Sequence, residues 1–317
     1  MSIDARALAA ATLIAIAAAA PAGAQAPAAP PAVRLAGYLQ ARESYESNIG
    51  LTSSINRARI TAYGALPHGI GWRIQGEFRT GSVGTGKATV ALQDAYVRWG
   101  QGSFAVQLGQ FKTPFTREFV TSLTEVETAD RSTVVDSLAP KRDIGVMAEY
   151  TIGGRSSLSA GVFNGEGQNV TANRDSTLLG VARLTLRPLP LVAFGVNIAS
   201  YFGDSTRYGA DVNLEAPWLV LRGEYVAQHR TAGGRDDQGW YALAAVPLLP
   251  ALQPVLKYEW FTRPAISPQL RNRAWTAGFN VFPFGRDTRL TLAYVSRRVG
   301  DPGIRKGQAL AQAQVRF

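Results

Sequence analysis

Arginine dominates the chemistry open to this chain. Arg34, Arg42, Arg57, Arg59, Arg73, Arg79 and Arg98 all fall in its N-terminal third, separated by even numbers within each stretch: 34 to 42, 57 to 59, 73 to 79. Even spacing puts side chains on one face of a β-strand. A guanidinium stays charged and presents a planar fork of donors that matches carboxylate or phosphate oxygens two at a time. These residues can bind or attract anions. Covalent chemistry has far less support. A nucleophile needs an oriented base, and the two histidines, His68 and His229, fall in a turn and at a strand end expected on opposite sides of the fold. Glu125 and Glu127 form an acidic pair expected to be solvated or held by nearby arginines. The glycines of Gly81–Gly86 lack the strand-to-helix context of a phosphate-cradling loop. With no cysteine there is no disulfide and no thiolate metal site, and no ligands cluster for another metal. No enzyme activity, cofactor or metal is expected.

The elements that would carry these arginines read as β-strands. Sixteen segments alternate apolar with polar residues: 33–46, 53–65, 69–80, 89–99, 103–112, 142–151, 156–164, 176–188, 191–201, 207–214, 217–229, 237–247, 251–262, 270–283, 287–298 and 306–317. The last is plain. Ala309, Ala311, Ala313, Val315 and Phe317 share one face, and Gln308, Leu310, Gln312, Gln314 and Arg316 share the other. An apolar outside, a polar inside and a C-terminal Phe fit the closing strand of a transmembrane β-barrel. Single-chain bacterial barrels have even strand numbers. Even-numbered connections are tight and rich in Gly or Pro, as at Leu66-Pro67-His68 and Gly153-Gly154-Arg155. Several odd ones, such as Gly165–Asp175, are longer and more polar. The fold expected is all-β: one antiparallel transmembrane barrel over residues 33–317. A soluble sandwich would explain neither the terminal Phe nor the loop alternation.

A charge facing lipid near the midplane costs roughly 2–4 kcal/mol, which assigns the faces. Leu35, Leu39, Ile60, Ile74 and Phe78 point outward. The seven arginines point inward with Tyr38, Gln40, Thr61, Gln75, Glu77, Asp94 and Tyr96. Later strands are more balanced, with Arg222 beside Glu224 and Lys257 beside Glu259. The basic wall is therefore expected in the N-terminal third.

The N-terminus agrees with export. Asp4 and Arg6 precede an apolar run of fourteen residues, Ala7 to Ala20, and an Ala22-Gly23-Ala24 cleavage pattern. The run is too short for a bilayer, which takes roughly 20 residues. Residues 1–24 are expected to be a cleaved signal peptide, and 25–32 a flexible lead-in. The net charge is +10. On an exported barrel that charge serves a lumen that attracts anions; nucleic acid is not an expected partner.

The connection 113–141, 29 residues long, is the longest. Loops of that length are usually functional, and this one is expected to fold inward and narrow the lumen. With Lys112 it supplies Arg117, Glu125, Glu127, Arg131 and Lys141 as constriction residues. Around it, Gly109-Gln110-Phe111-Lys112-Thr113-Pro114-Phe115, Leu138-Ala139-Pro140-Lys141-Arg142-Asp143-Ile144-Gly145-Val146 and Gly161-Val162-Phe163-Asn164-Gly165-Glu166-Gly167 occur in order. These blocks resemble the phosphate-selective porin O/P family. The resemblance implies a sixteen-stranded porin of the Gram-negative outer membrane, a homotrimer with a constriction loop and an arginine-rich lumen passing phosphate or polyphosphate. The reading is a passive channel for small anionic solutes, embedded in outer-membrane lipid and lipopolysaccharide. A non-selective diffusion pore and a structural or adhesive envelope barrel are the alternatives.

Overall fold

A computed structural model describes residues 33–79, 88–174, 176–233, 236–264, 271–300 and 303–317. The expected leader and lead-in, residues 1–32, lie outside the described residues. Period-two alternation becomes sixteen strands: β1 (Arg34–Glu46), β2 (Gly50–Leu66), β3 (Ile70–Arg79), β4 (Thr89–Gln101), β5 (Phe104–Lys112), β6 (Arg142–Ile152), β7 (Ser156–Phe163), β8 (Leu179–Leu189), β9 (Val192–Tyr201), β10 (Ser205–Ala216), β11 (Leu219–Arg230), β12 (Asp237–Ala245), β13 (Leu252–Thr262), β14 (Arg271–Val281), β15 (Thr288–Val299) and β16 (Ile304–Arg316). Each pairs antiparallel with its sequence neighbours, and β16 returns to β1 to close the barrel. Closure leaves no sheet edge whose backbone groups would be orphaned in lipid.

The closing seam is specific. Gly37 N donates to Phe317 O at 2.8 Å, and Phe317 N donates to Gly37 O at 3.1 Å. A side chain at 37 would run into the Phe317 ring and the Arg59 carbonyl. Glycine there lets the last residue complete the ring.

The faces fall as lipid cost dictates. Gln40, Arg59, Thr61, Gln75, Glu77, Asp94, Gln312 and Gln314 are buried inside, while Leu39, Ile60, Ile74, Phe78, Val97 and Val315 are exposed outside. The six tryptophans divide between the two ends. Trp72, Trp99 and Trp218 lie near the rim that carries both ends of the barrel. Trp240, Trp260 and Trp275 lie near the other, where Trp240, Tyr258 and Trp275 form a ladder with ring centroids 5.4 and 4.6 Å apart. Apolar belts edged by aromatics match a bilayer with its two interfaces. Among the described residues no helix is long and apolar enough to cross a membrane.

Connections at the terminal rim are all short. Those at the opposite rim are more varied than expected: 113–141 and 164–178 are long, but 47–49 and 202–204 are hairpins as tight as any. The short segment expected at 207–214 is the twelve-residue strand β10.

Candidate functional site

The loop 113–141 leaves the wall where β5 ends and turns into the barrel. Its neck is closed by Thr113, whose N and Oγ1 both donate to Lys141 O, at 3.0 and 2.8 Å. Apolar residues determine the direction. Phe115, Phe119, Val134, Val135 and Leu138 are buried against inward-facing Phe163, Leu179, Val226, Tyr241 and Leu243. A loop projecting into water would leave both sets wet. The helical turn Thr133–Leu138 packs on β11, β12 and β13.

Polar ties then fasten the loop to the far wall. Glu224 of β11 accepts from the backbone N of Arg117 at 3.1 Å, that of Glu118 at 2.6 Å, and the Tyr241 hydroxyl at 2.7 Å. Arg222 donates to Glu127 at 3.1 Å. Arg289 donates to Val126 O at 2.7 Å, Asn280 to Glu127 O at 2.9 Å and Gln314 to Thr124 O at 3.2 Å. Thr133 donates to Glu259 of β13, and Arg207 of β10 to Leu138 O at 2.8 Å. From β1, Arg42 forks onto Asp130 at 2.8 and 2.9 Å. Inside the loop, buried Glu118 accepts from Ser132 N and Oγ at 2.8 and 2.6 Å. Burial raises the Glu118 pKa above the ordinary carboxylate range, against the pull of Lys257 and these hydrogen bonds. Arg131 donates to the carbonyls of Glu118, Phe119 and Thr121, and burial pushes its pKa down to about 10.

Because the loop is held against β10–β16 and β1, the lumen stays open beside β1–β6. A cavity of about 270 Å³ lies there between loop residues Val120, Ser122 and Leu123 and a wall carrying Arg59, Arg73, Lys112 and Arg142. Arg59 pairs with Glu77. Arg73 and Arg142 share Asp94, at 3.3 and 2.8 Å. The Lys112 ammonium donates to Val120 O and Thr121 O at 3.1 and 2.9 Å and meets no carboxylate among the described residues. Even with Glu77 included, cations outnumber carboxylates four to two.

A second cavity of about 1010 Å³ opens on the terminal-rim side of the loop. Seven arginines line it (117, 183, 187, 222, 286, 289 and 316) against Glu125, Glu127, Asp211 and Glu215. Val120 borders both cavities.

The residues expected to line a lumen therefore separate into groups. Arg59 and Arg73 line the narrow cavity, and Arg57 faces inward opposite Gln40 in register. Arg42 is a tether, gripped by Asp130 and Gln312. Arg34 is exposed at the start of β1, and Arg98 sits near the terminal rim, 3.7 Å from Glu149. Arg79 ends β3, and its side chain lies outside the described residues. Of the loop set, Lys112 lines the narrow cavity; Arg117, Glu125 and Glu127 line the wide one. Arg131 braces the loop internally, and Lys141 is exposed at its neck with φ +64°.

Sequence reasoning missed Arg142 at the narrow point, although it opens β6 at an inward position. It also expected the basic wall to be concentrated in the N-terminal third. Arg183, Arg187, Arg222, Arg286 and Arg289 of the wide cavity were not singled out as a pore surface, because their surplus appears only when separate strands and turns converge. His68 and His229 lie at opposite rims; His229 Nδ1 is 2.9 Å from Asp236, at the surface. Among the described residues no group of acidic, histidine or cysteine side chains is placed to hold a metal.

A family model described as phosphate-selective porin O and P matches residues 37–198. Comparison with curated proteins finds no match. Among solved structures, the anion-selective porin from Comamonas acidovorans superposes with TM-score 0.66 at 15% identity, covering 91% of this chain and 100% of that one. The outer membrane channel DcaP of Acinetobacter baumannii gives 0.64 at 14% identity over 90% and 97%. Outer-membrane expressed OmpT of Vibrio cholerae gives 0.65 at 10% identity over 92% and 99%. At these identities the likeness is one of fold.

Proposed function

The chain belongs to the phosphate-selective porin O and P family, and from that premise we propose that this outer-membrane porin channel passes anions in preference to cations. One observation carries the reading: the inward loop leaves its gap against the wall where cations outnumber carboxylates four to two. A solute passing at about 4 Å gains roughly 1 kcal/mol from each unbalanced charge even at the dielectric of water. Two such charges favour an anion by about tenfold or more. Rings of basic side chains also replace part of an anion's hydration.

In this reading the terminal rim faces the periplasm, as do the short turns. Solutes move down their gradient through the narrow cavity and then past the arginines of the wide one. No covalent step is involved. A homotrimer is part of the proposal: OmpT of Vibrio cholerae, alike in fold, is known in a trimer form. The family description supplies phosphate as the first anion to test, and the guanidinium fork suits its oxygens.

Charge substitutions test the site. Lys112→Gln removes one cation and leaves no carboxylate behind. Arg59→Gln also removes one cation and takes away a partner of Glu77. Reversal potentials should move toward cations in both. Unchanged potentials in both variants would remove these residues from the selectivity site.

A further inference from the structure

The narrow cavity is basic, but it is not uniformly polar. Interleaved with its four cations are Tyr38, Tyr96 and Phe111 of the wall and Val120 and Leu123 of the loop. The rings are fixed: Tyr96 meets Phe111 edge-on at 5.9 Å, and Phe111 meets Phe163 at 5.5 Å. Val120 remains 40% exposed although the loop buries most of its other apolar side chains. An apolar side chain left wet where the two cavities meet the loop does nothing for the fold.

We propose that the channel favours organic carboxylates bearing an aromatic or branched apolar group, and passes them ahead of inorganic phosphate. This rests on the anion reading above and specifies its substrate class. Phosphate is hydrated on every side, so an apolar surface offers nothing for the water it displaces. A carboxylate attached to an apolar group concentrates its charge at one end. That end suits the guanidinium forks, while the other end loses water against the exposed Val120 and the half-buried Tyr96 ring, on which another ring packs edge-to-face. The room is adequate. Apolar cavities of about 150 Å³ admit benzene, and this one measures about 270 Å³. Tyr38 contributes a further point: its buried hydroxyl has no protein hydrogen-bond partner, and buried polar groups are normally paired.

The test uses the full-length channel in planar bilayers, with reversal potentials for sodium benzoate, acetate and phosphate each against sodium chloride. Benzoate is expected to permeate ahead of acetate and phosphate despite its greater size. Phosphate equal to or ahead of benzoate, with anions still ahead of sodium, would overturn the substrate class and leave the anion reading intact. Sodium ahead of every anion would overturn both. The paired substitution Val120→Ser with Leu123→Ser should lower the benzoate-to-acetate ratio about threefold or more. Folding is verified by heat-dependent gel migration. If the pair does not fold, Val120→Ser alone serves, because its side chain is half exposed. An unchanged ratio would overturn the assignment to the apolar lining.

Discussion

Asp130 shows how a single residue links charge to channel shape. Burial works against its carboxylate, but the Arg42 fork outweighs this and holds the pKa below the ordinary 3.8. A depressed folded value means that the tether is at full strength above pH 3.8 and is lost as pH falls through the lowered value. The pair is half exposed on the aspartate side, so it is worth roughly 0.2–1 kcal/mol, at most about a fivefold change in the undocked population. Single-channel current noise should be flat from neutral pH down to the ordinary carboxylate range and rise below it. Asp130→Asn should carry the raised noise already at neutral pH. Identical acid behaviour in the variant would show that this tether does not hold the loop. The sequence placed Arg42 on the inner face correctly but could not reveal its task, because Asp130 lies 88 residues away in a loop without periodicity. Arg131 was equally silent about its task, because its partners are backbone carbonyls of its own irregular loop.

The element that decides function is the loop 113–141, and its main fastening is Glu224. Two backbone amides and a tyrosine hydroxyl converge on that buried carboxylate. Each donor stranded by Glu224→Ala costs about 1–3 kcal/mol, enough to free the loop's first turn. Trypsin should then cut the folded barrel at Arg117 or Arg131 much faster than it cuts the wild type. Glu224→Gln, which keeps an oxygen acceptor, should fall between. Equal cleavage rates in all three would mean that the apolar packing alone holds the loop. The strands themselves were legible to within three residues at each end, since lipid on one side and water on the other enforce a period of two. Inward folding was legible from length, but its direction was not. The docking face depends on Phe163, Leu179, Val226 and Leu243, which are buried on four different strands. Their shared face exists only after the barrel closes. A further fitting follows from the same departure of β5. Where β5 ends and β4 runs on, Gln110 donates to the carbonyls of Leu92 and Gln93, both at 3.0 Å, and Asn169 N donates back to Gln110 at 2.7 Å. Side chains thus cap a strand edge that would otherwise stay open.

At the scale of the whole molecule, the inward loop divides the lumen unequally. One side is filled by its docking contacts; the other keeps a narrow cavity, and Val120 borders both this and the wide, arginine-lined one. Both cavities carry an excess of cations, consistent with the net charge of +10. The central claim is that this excess sets the selectivity of the outer-membrane channel. Its most direct measurement is the zero-current potential of the wild-type channel in a potassium chloride gradient across a planar bilayer. The account predicts the sign of a chloride-selective pore. A potassium-selective sign would contradict it.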